Sequence, residues 1–220
     1  MNKITGKQIA VLGVFAALAY VLMFFSRFLP PLIPGLPFLK YDPKDIIIAI
    51  AGFLFGPLPA LALTVVVSLI EMITVGSTGF IGLLMNVLST SAFVIPAAVI
   101  YSKKRSIIGA LIGLAVGLLL MTGVMLLWNY LITPIYMGYP RDAVAKLLLP
   151  GFLPFNLIKG ILNAGFTLLL YKPIVTALRK TGLMPPSTGS GKRNPIGIIL
   201  LAVLLLATAT LLILIFNKII

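Results

Sequence analysis

Hydrophobic residues run through this chain in long, nearly unbroken stretches, and the polar positions that interrupt them are few enough to be read one by one. Apolar runs cover residues 8–25, 60–75, 79–100, 107–130, 154–178 and 196–216, each close to the ~20 residues that a helix needs to cross a bilayer. A further run at 46–55 stops after ten residues at Gly56-Pro57-Leu58-Pro59. That is too short to span, and it reads either as a shortened helix beside a ligand site or as half of a tilted hairpin. Backbone groups in lipid must find their partners within the protein, so runs of this kind predict helices. The expected fold class is an all-α polytopic membrane protein: a six-helix transmembrane bundle, with the short run as its second helix, plus one appended C-terminal transmembrane helix. The first run is followed by Ser26-Arg27 and a proline-rich loop rather than a small-residue cleavage site, which reads as a retained span and not a signal peptide.

Polar residues inside these runs carry the chemistry. In the sixth long helix of the bundle, Asn156, Lys159 and Asn163 stand at i, i+3 and i+7 and share one face, which Gly160 leaves open to close approach. A charge at bilayer depth costs several kcal/mol unless it is paired or lines a polar cavity. Lysine snorkelling to the interface is the bland alternative, but it would leave two asparagines on the same face without partners. The fourth helix opens with Thr78, Gly79, Gly82 and Asn86, a smooth patch ending in an amide. Asn129 sits within Trp128-Asn129-Tyr130, an aromatic belt at the end of the fifth helix, and residues 131–150 after it are expected to form a loop. Between the first two helices lies a loop, residues 27–45, stiffened by prolines yet apolar; with Phe38, Leu39 and Tyr41 among Lys40 and Asp42 it is a candidate pocket lid. Asp45 is a candidate N-cap for the short helix. Loop and helix ends, with Glu71, gather these polar groups toward one half of the membrane.

Composition narrows the function. Of 220 residues 60% are hydrophobic and 10% charged, with no cysteine and no histidine. Thiolate and imidazole chemistry, disulfides and the usual zinc sites are excluded, and no metal is expected. Only four acidic residues are present, which leaves little for metal-dependent chemistry, so Lys159 with Glu71 is the one conceivable acid/base couple and neither an enzyme nor catalytic residues are expected. A stand-alone secondary transporter would show broken helices in both halves, and only the first half has one. The net charge of +13 does not point to nucleic acid, because the basic residues sit mostly in short loops between spans. Lys3 and Lys7, Lys103 to Arg105, and Lys172, Arg179 and Lys180 fall on one side of the bundle, which places the N-terminus in the cytoplasm. Residues 1–182 are expected to form the binding domain, 183–195 a flexible cytoplasmic linker, and 196–217 an additional span without a polar stripe. Gly189-Ser190-Gly191-Lys192 in that linker is not a phosphate loop, since Pro186 stands where its first glycine belongs. On the first helix Gly6 with Ala10 and Gly13 with Ala17 form two small-xxx-small pairs. Packing inside the bundle is the simplest use for them.

Several of these stretches together, Leu39-Lys-Tyr-Asp-Pro-Lys-Asp45, Gly56-Pro57, Gly79-Phe-Ile-Gly-Leu-Leu-Met-Asn86, Trp128-Asn129-Tyr130 and Asn156-Leu-Ile-Lys159, resemble the substrate-binding S components of energy-coupling-factor (ECF) vitamin transporters, in particular the riboflavin-specific branch. The likeness runs in order from about Lys7 to Lys180 and leaves the last helix unmatched. It implies a multi-pass protein of the cell membrane whose S-component bundle binds riboflavin at the outer face. It also implies partners, a transmembrane coupling subunit and two cytoplasmic ATPases, and no cofactor beyond the transported ligand. The ligand-binding residues would be Leu39, Lys40, Tyr41, Asp42, Thr78, Gly79, Gly82, Asn86, Asn129, Asn156, Lys159 and Asn163, with Leu39 and Tyr41 closing the lid, Gly79, Gly82 and Asn86 along the ribityl tail, and Asn129, Asn156 and Lys159 about the ring. Asparagine amides and a lysine suit the donor and acceptor edge of a flavin. The strip of Gly6, Ala10, Gly13 and Ala17 becomes a docking surface for the coupling subunit. A pteridine or thiamin is the nearest alternative ligand.

Overall fold

The computed structural model describes residues 5–33, 36–183 and 196–217, and the regular structure among them is helical. In chain order the helices are α1 Gly6–Ser26, α2 Lys44–Phe55, α3 Pro57–Thr74, α4 Gly79–Lys103, α5 Ile107–Leu131, the short α6 Thr133–Met137 and α7 Arg141–Leu147, then α8 Leu153–Lys180 and α9 Ile196–Phe216. Six segments are long and apolar enough to cross a membrane: α1, α3, α4, α5, α7 continuing through α8, and α9. Counting α2, this is the six-helix bundle with one appended helix.

Local chemistry sets the boundaries. α1 starts in a capping box, in which the Thr5 side chain accepts from the Gln8 N–H and the Gln8 side chain accepts from the Thr5 N–H at 2.9 Å. α2 and α3 meet at Gly56, whose φ of 95° turns the chain in one residue, and Pro57 opens α3 at a position where no N–H is needed. The short α2 is the central post of the bundle. Every residue from Lys44 to Phe53 is buried, among α1, α3, α4 and α8. Its uninterrupted apolar sequence is that of a helix covered on all sides.

Residues 131–150, read from the sequence as a loop, instead fold into α6, α7 and a wide π-helical turn, Leu148–Phe152, that runs straight into α8. Pro150 cannot donate to the ladder, and a turn of larger radius carries the chain past it without ending the helix. α7 has Asp142 in its first turn and Lys146 in its last, both complementing the helix dipole.

α4 and α5 pack backbone to backbone. A side chain at Gly113 would meet the carbonyl of Ala97, and one at Gly117 the carbonyl of Phe93. α9 lies against α8, with Ala202 and Ala209 fully buried and Leu206 seated over Gly165. Toward its end Ile213 and Phe216 join an apolar cluster that also holds Leu32, Ile33 and Phe152. The last helix is thus docked on the bundle, although most of its surface stays exposed. The expected linker, apart from Leu183, lies outside the described residues.

Candidate functional site

The ends of α1 and α3, the start of α4, the end of α5 and the start of α8 converge at one end of the bundle, opposite the basic Lys103-Lys104-Arg105 turn. They enclose a cavity of about 460 Å³, roofed by Pro37 to Asp42 of the loop after α1. That is the size of a small-molecule site. Leu39, Lys40, Tyr41 and Asp42 line it from the loop, Thr78, Gly79, Gly82 and Asn86 from α4, Asn129 from α5, and Asn156 and Lys159 from α8. Asn163, the remaining candidate, does not reach the cavity. It is fully buried one turn deeper and holds other site residues in place.

Charged groups that the sequence scatters from Arg27 to Lys159 meet here in two ion-pair clusters. In the first, the fully buried Lys44 contacts Asp42 and donates to Glu71 Oε2 at 2.9 Å, with the half-exposed Arg27 at 3.9 Å from Glu71 Oε1. In the second, Lys159 Nζ stands 3.2 Å from Asp45 Oδ2, and Thr90 donates to Asp45 Oδ1 at 2.6 Å. Asn163 Nδ2 donates to Asp45 Oδ2 at 3.2 Å, and Asn163 Oδ1 accepts from the Tyr41 hydroxyl at 2.9 Å. Three of the chain's four carboxylates, Asp42, Asp45 and Glu71, are committed to these clusters. A buried charge without a partner would cost several kcal/mol, and here each one has a counter-ion.

One expectation changes and two alternatives fall away. Asp45 is no N-cap: Pro43 takes that place and α2 begins at Lys44, so the carboxylate points into the bundle from the first helical turn. Lys159 does not snorkel, since only 7% of it is exposed and it is held by Asp45. Glu71 pairs with Lys44, not with Lys159, so the acid/base couple is not assembled. Among the described residues no group of potential ligands is arranged to hold a metal ion.

Loop chemistry favours a closed roof. Burial would raise the Asp42 pKa, but the charges of Lys44 and Lys159 hold it below the ordinary carboxylate value. Burial, with the charges of Asp45 and Asp42 added, pushes the Tyr41 hydroxyl well above its usual range, so it remains a donor to Asn163. Lys40 Nζ ties the loop back to the Arg27 carbonyl at 3.0 Å.

The amides on the cavity wall are fixed from behind. Asn129 donates to the Met125 carbonyl at 2.6 Å and accepts from Thr133 at 2.9 Å, and Asn156 donates to the Phe152 carbonyl at 2.7 Å. Sequence reasoning missed two groups. Ser89 lies on the wall one turn beyond Asn86, and the series 82, 86, 89 was available as a helical face. Met23, Met72, Met85, Met125 and Met137, five of the chain's eight methionines, also line the cavity. Thioethers make polarizable contacts with aromatic rings, but their approach from separate helices had no local signal.

Gly6, Ala10, Gly13 and Ala17 lie on the exposed face of α1, whose buried face is Val11, Phe15, Ala19, Met23 and Ser26. A side chain at Gly6 or Gly13 would meet nothing within 4 Å. The strip is not packing inside the bundle.

A helical membrane bundle with a lidded cavity of mixed polar and apolar wall defines the class: a membrane-embedded small-molecule-binding protein. Residues 7–171 match the family model described as "ECF transporter, substrate-specific component", and the chain belongs to that family, a transport component and not an enzyme. It is 32% identical over 177 residues to the riboflavin transporter FmnP of Bacillus subtilis, covering 76% of this chain and 91% of that protein. It is 29% identical over 187 residues to the riboflavin transporter RibU of Staphylococcus aureus, covering 82% of this chain and 96% of that one. A solved structure described as "Structure and mechanism of the S component of a bacterial ECF transporter" superposes with a TM-score of 0.67 at 29% identity, over 79% of this chain and 98% of its own. The family match ends within α8, so α9 lies beyond it.

Proposed function

We propose that this chain captures riboflavin in the lidded cavity at the outer face of the cell membrane and is the substrate-specific subunit of an ECF transporter. The observation that carries the reading is the composition of the wall: Asn129, Asn156 and Lys159 from two helices stand beside methionine and phenylalanine side chains in one cavity of about 460 Å³. Such a wall offers donors and acceptors to the imide edge of a flat tricycle and soft apolar contact to its faces. The glycine patch of Gly79 and Gly82 with Asn86 leaves room for the ribityl tail, and Leu39 and Tyr41 close over it. That the B. subtilis and S. aureus relatives are both riboflavin transporters supports a flavin over a pteridine or thiamin.

Residues 1–182 form the binding domain in this reading. The basic side faces the cytoplasm with the N-terminus, which puts the cavity outside. Uptake then draws on a transmembrane coupling subunit and two cytoplasmic ATPases, and the open strip of Gly6, Ala10, Gly13 and Ala17 is where a coupling helix approaches. Titration of the detergent-purified protein, followed by quenching of flavin fluorescence, tests the ligand. Saturable quenching with one site per chain is expected at micromolar protein or below. Absence of quenching, with thiamin or a pteridine shifting the melting temperature instead, overturns it.

A further inference from the structure

We propose that Asp45 is a positioning residue, which aims the Lys159 ammonium into the cavity and, through Asn163 and Tyr41, makes that aim depend on the lid being closed. This rests on the riboflavin reading of the cavity.

Asp45 is fully buried and is not part of the cavity wall. Both of its oxygens are occupied from other helices: Oδ1 accepts from Thr90 of α4, and Oδ2 faces Lys159 and Asn163 of α8 at 3.2 Å each. A carboxylate gripped in this way cannot turn, and, buried from solvent, it holds the ammonium in place. Lysine has a flexible stem and three donor directions. Here the ammonium is ion-paired with Asp45 at 3.2 Å and donates to the Ser89 hydroxyl at 3.4 Å, which leaves donor capacity for a ligand in the cavity that Lys159 lines. Fixing the stem before binding removes an entropy cost that binding would otherwise carry.

Asn163 extends the chain of contacts to the lid. Its amide donates to Asp45 on one side and accepts the Tyr41 hydroxyl on the other. When the lid is closed, the Tyr41 contact holds the amide in the orientation that serves Asp45. When the lid lifts, Asn163 is free to rotate and Asp45 loses a donor. The next residue of the lid, Asp42, contacts Lys44 on the same turn of α2, so two neighbouring lid residues report to one helix end.

The test is a double-mutant cycle of Asp45→Asn and Lys159→Met, with riboflavin affinity, dissociation rate and melting temperature measured on all four proteins in detergent. Lys159→Met is expected to weaken riboflavin binding about tenfold or more, the worth of a charge-assisted hydrogen bond. Asp45→Asn is expected to weaken it about tenfold and to speed release in the wild-type background, yet by less than about twofold where Lys159 is already methionine. A merely structural Asp45 would lower affinity equally in both backgrounds, and such additivity overturns the inference. If Asp45→Asn does not fold, Thr90→Val, which removes the hydroxyl from Oδ1 without touching the cavity, takes its place in the cycle and must show the same loss of effect. The two readings fail differently. Wild-type binding with no response to Lys159→Met says that the flavin does not use Lys159, whereas a response to Lys159→Met with additive Asp45 and Thr90 effects leaves the ligand site standing and removes Asp45 from it.

Discussion

Two strips of small residues at helical spacing run through this protein and come to opposite ends. On α5, Gly113 and Gly117 lie against the backbone of Ala97 and Phe93, where any side chain would collide with a carbonyl. On α1, Gly6 and Gly13 face outward, and a side chain there meets nothing within 4 Å. The α5 strip lets two membrane helices approach closely. The α1 strip offers the same smoothness to something outside the chain. Small-xxx-small spacing therefore predicts close approach of a backbone, but not whose backbone it is.

The comparison breaks first on stability. Gly117→Leu is expected to be the most damaging single substitution, since it forces apart α4 and α5 along their shared seam. Overpacking of this kind costs about 1–3 kcal/mol in a yielding site, and a carbonyl cannot yield as a side chain does, so loss of the folded protein on size-exclusion chromatography is the expected outcome. A monodisperse variant with wild-type melting temperature would mean that the seam is looser than its geometry.

Lys159→Met comes next. In the proposed function it removes a ligand contact worth about 1.5–3 kcal/mol, and it also leaves Asp45 buried without its counter-ion, a loss that typically costs about 3–5 kcal/mol when one partner of a buried pair is taken away. Deleting an unpaired buried cation would do little harm to folding, but here the partner stays behind with only the Thr90 and Asn163 hydrogen bonds. Melting temperature and riboflavin affinity should fall together, while Asn156→Ala should lower affinity by about 1 kcal/mol with little change in melting.

How much of this was legible in the chain depends on whether a residue's partner is near in sequence. The helices were readable because bilayer length and hydrophobicity leave few alternatives, and the face of Asn156, Lys159 and Asn163 was readable because helical spacing is local. Asp45 was misread as a cap because the rule that names caps is local, whereas its partners Thr90, Lys159 and Asn163 arrive from α4 and α8. The helical content of residues 131–150 was missed for the opposite reason. Pro134, Gly138, Pro140 and Pro150 look like breaks, but they only punctuate short helices that the π-turn joins to α8.

A smaller effect is expected from ending the chain after Gly182. α9 contributes no residue to the cavity wall, and riboflavin affinity should stay within about twofold of wild type, the scatter expected for a site not in contact with the change. Removal of α9 does uncover Gly165 and part of the cluster around Leu32, Ile33 and Phe152, so melting should drop by a few degrees for each kcal/mol of apolar packing lost. A monodisperse truncation that no longer binds riboflavin would show that α9 supports the lid and is not merely appended.

The smallest expected effect on the isolated protein belongs to Gly13→Leu, and it separates the two strips most sharply. The added side chain enters open space on α1, so affinity and melting temperature should stay at wild-type values, with leucine if anything the better helix former by about 0.8 kcal/mol. Ala17→Trp, on the same exposed face, should behave likewise. In cells the same substitutions place bulk on the proposed docking strip, and riboflavin uptake should fall to background. If uptake survives both, the partner docks on another face and the α1 strip meets only lipid. If uptake, affinity and melting fall in parallel, the strip is packing material after all, and the contrast with α5 disappears.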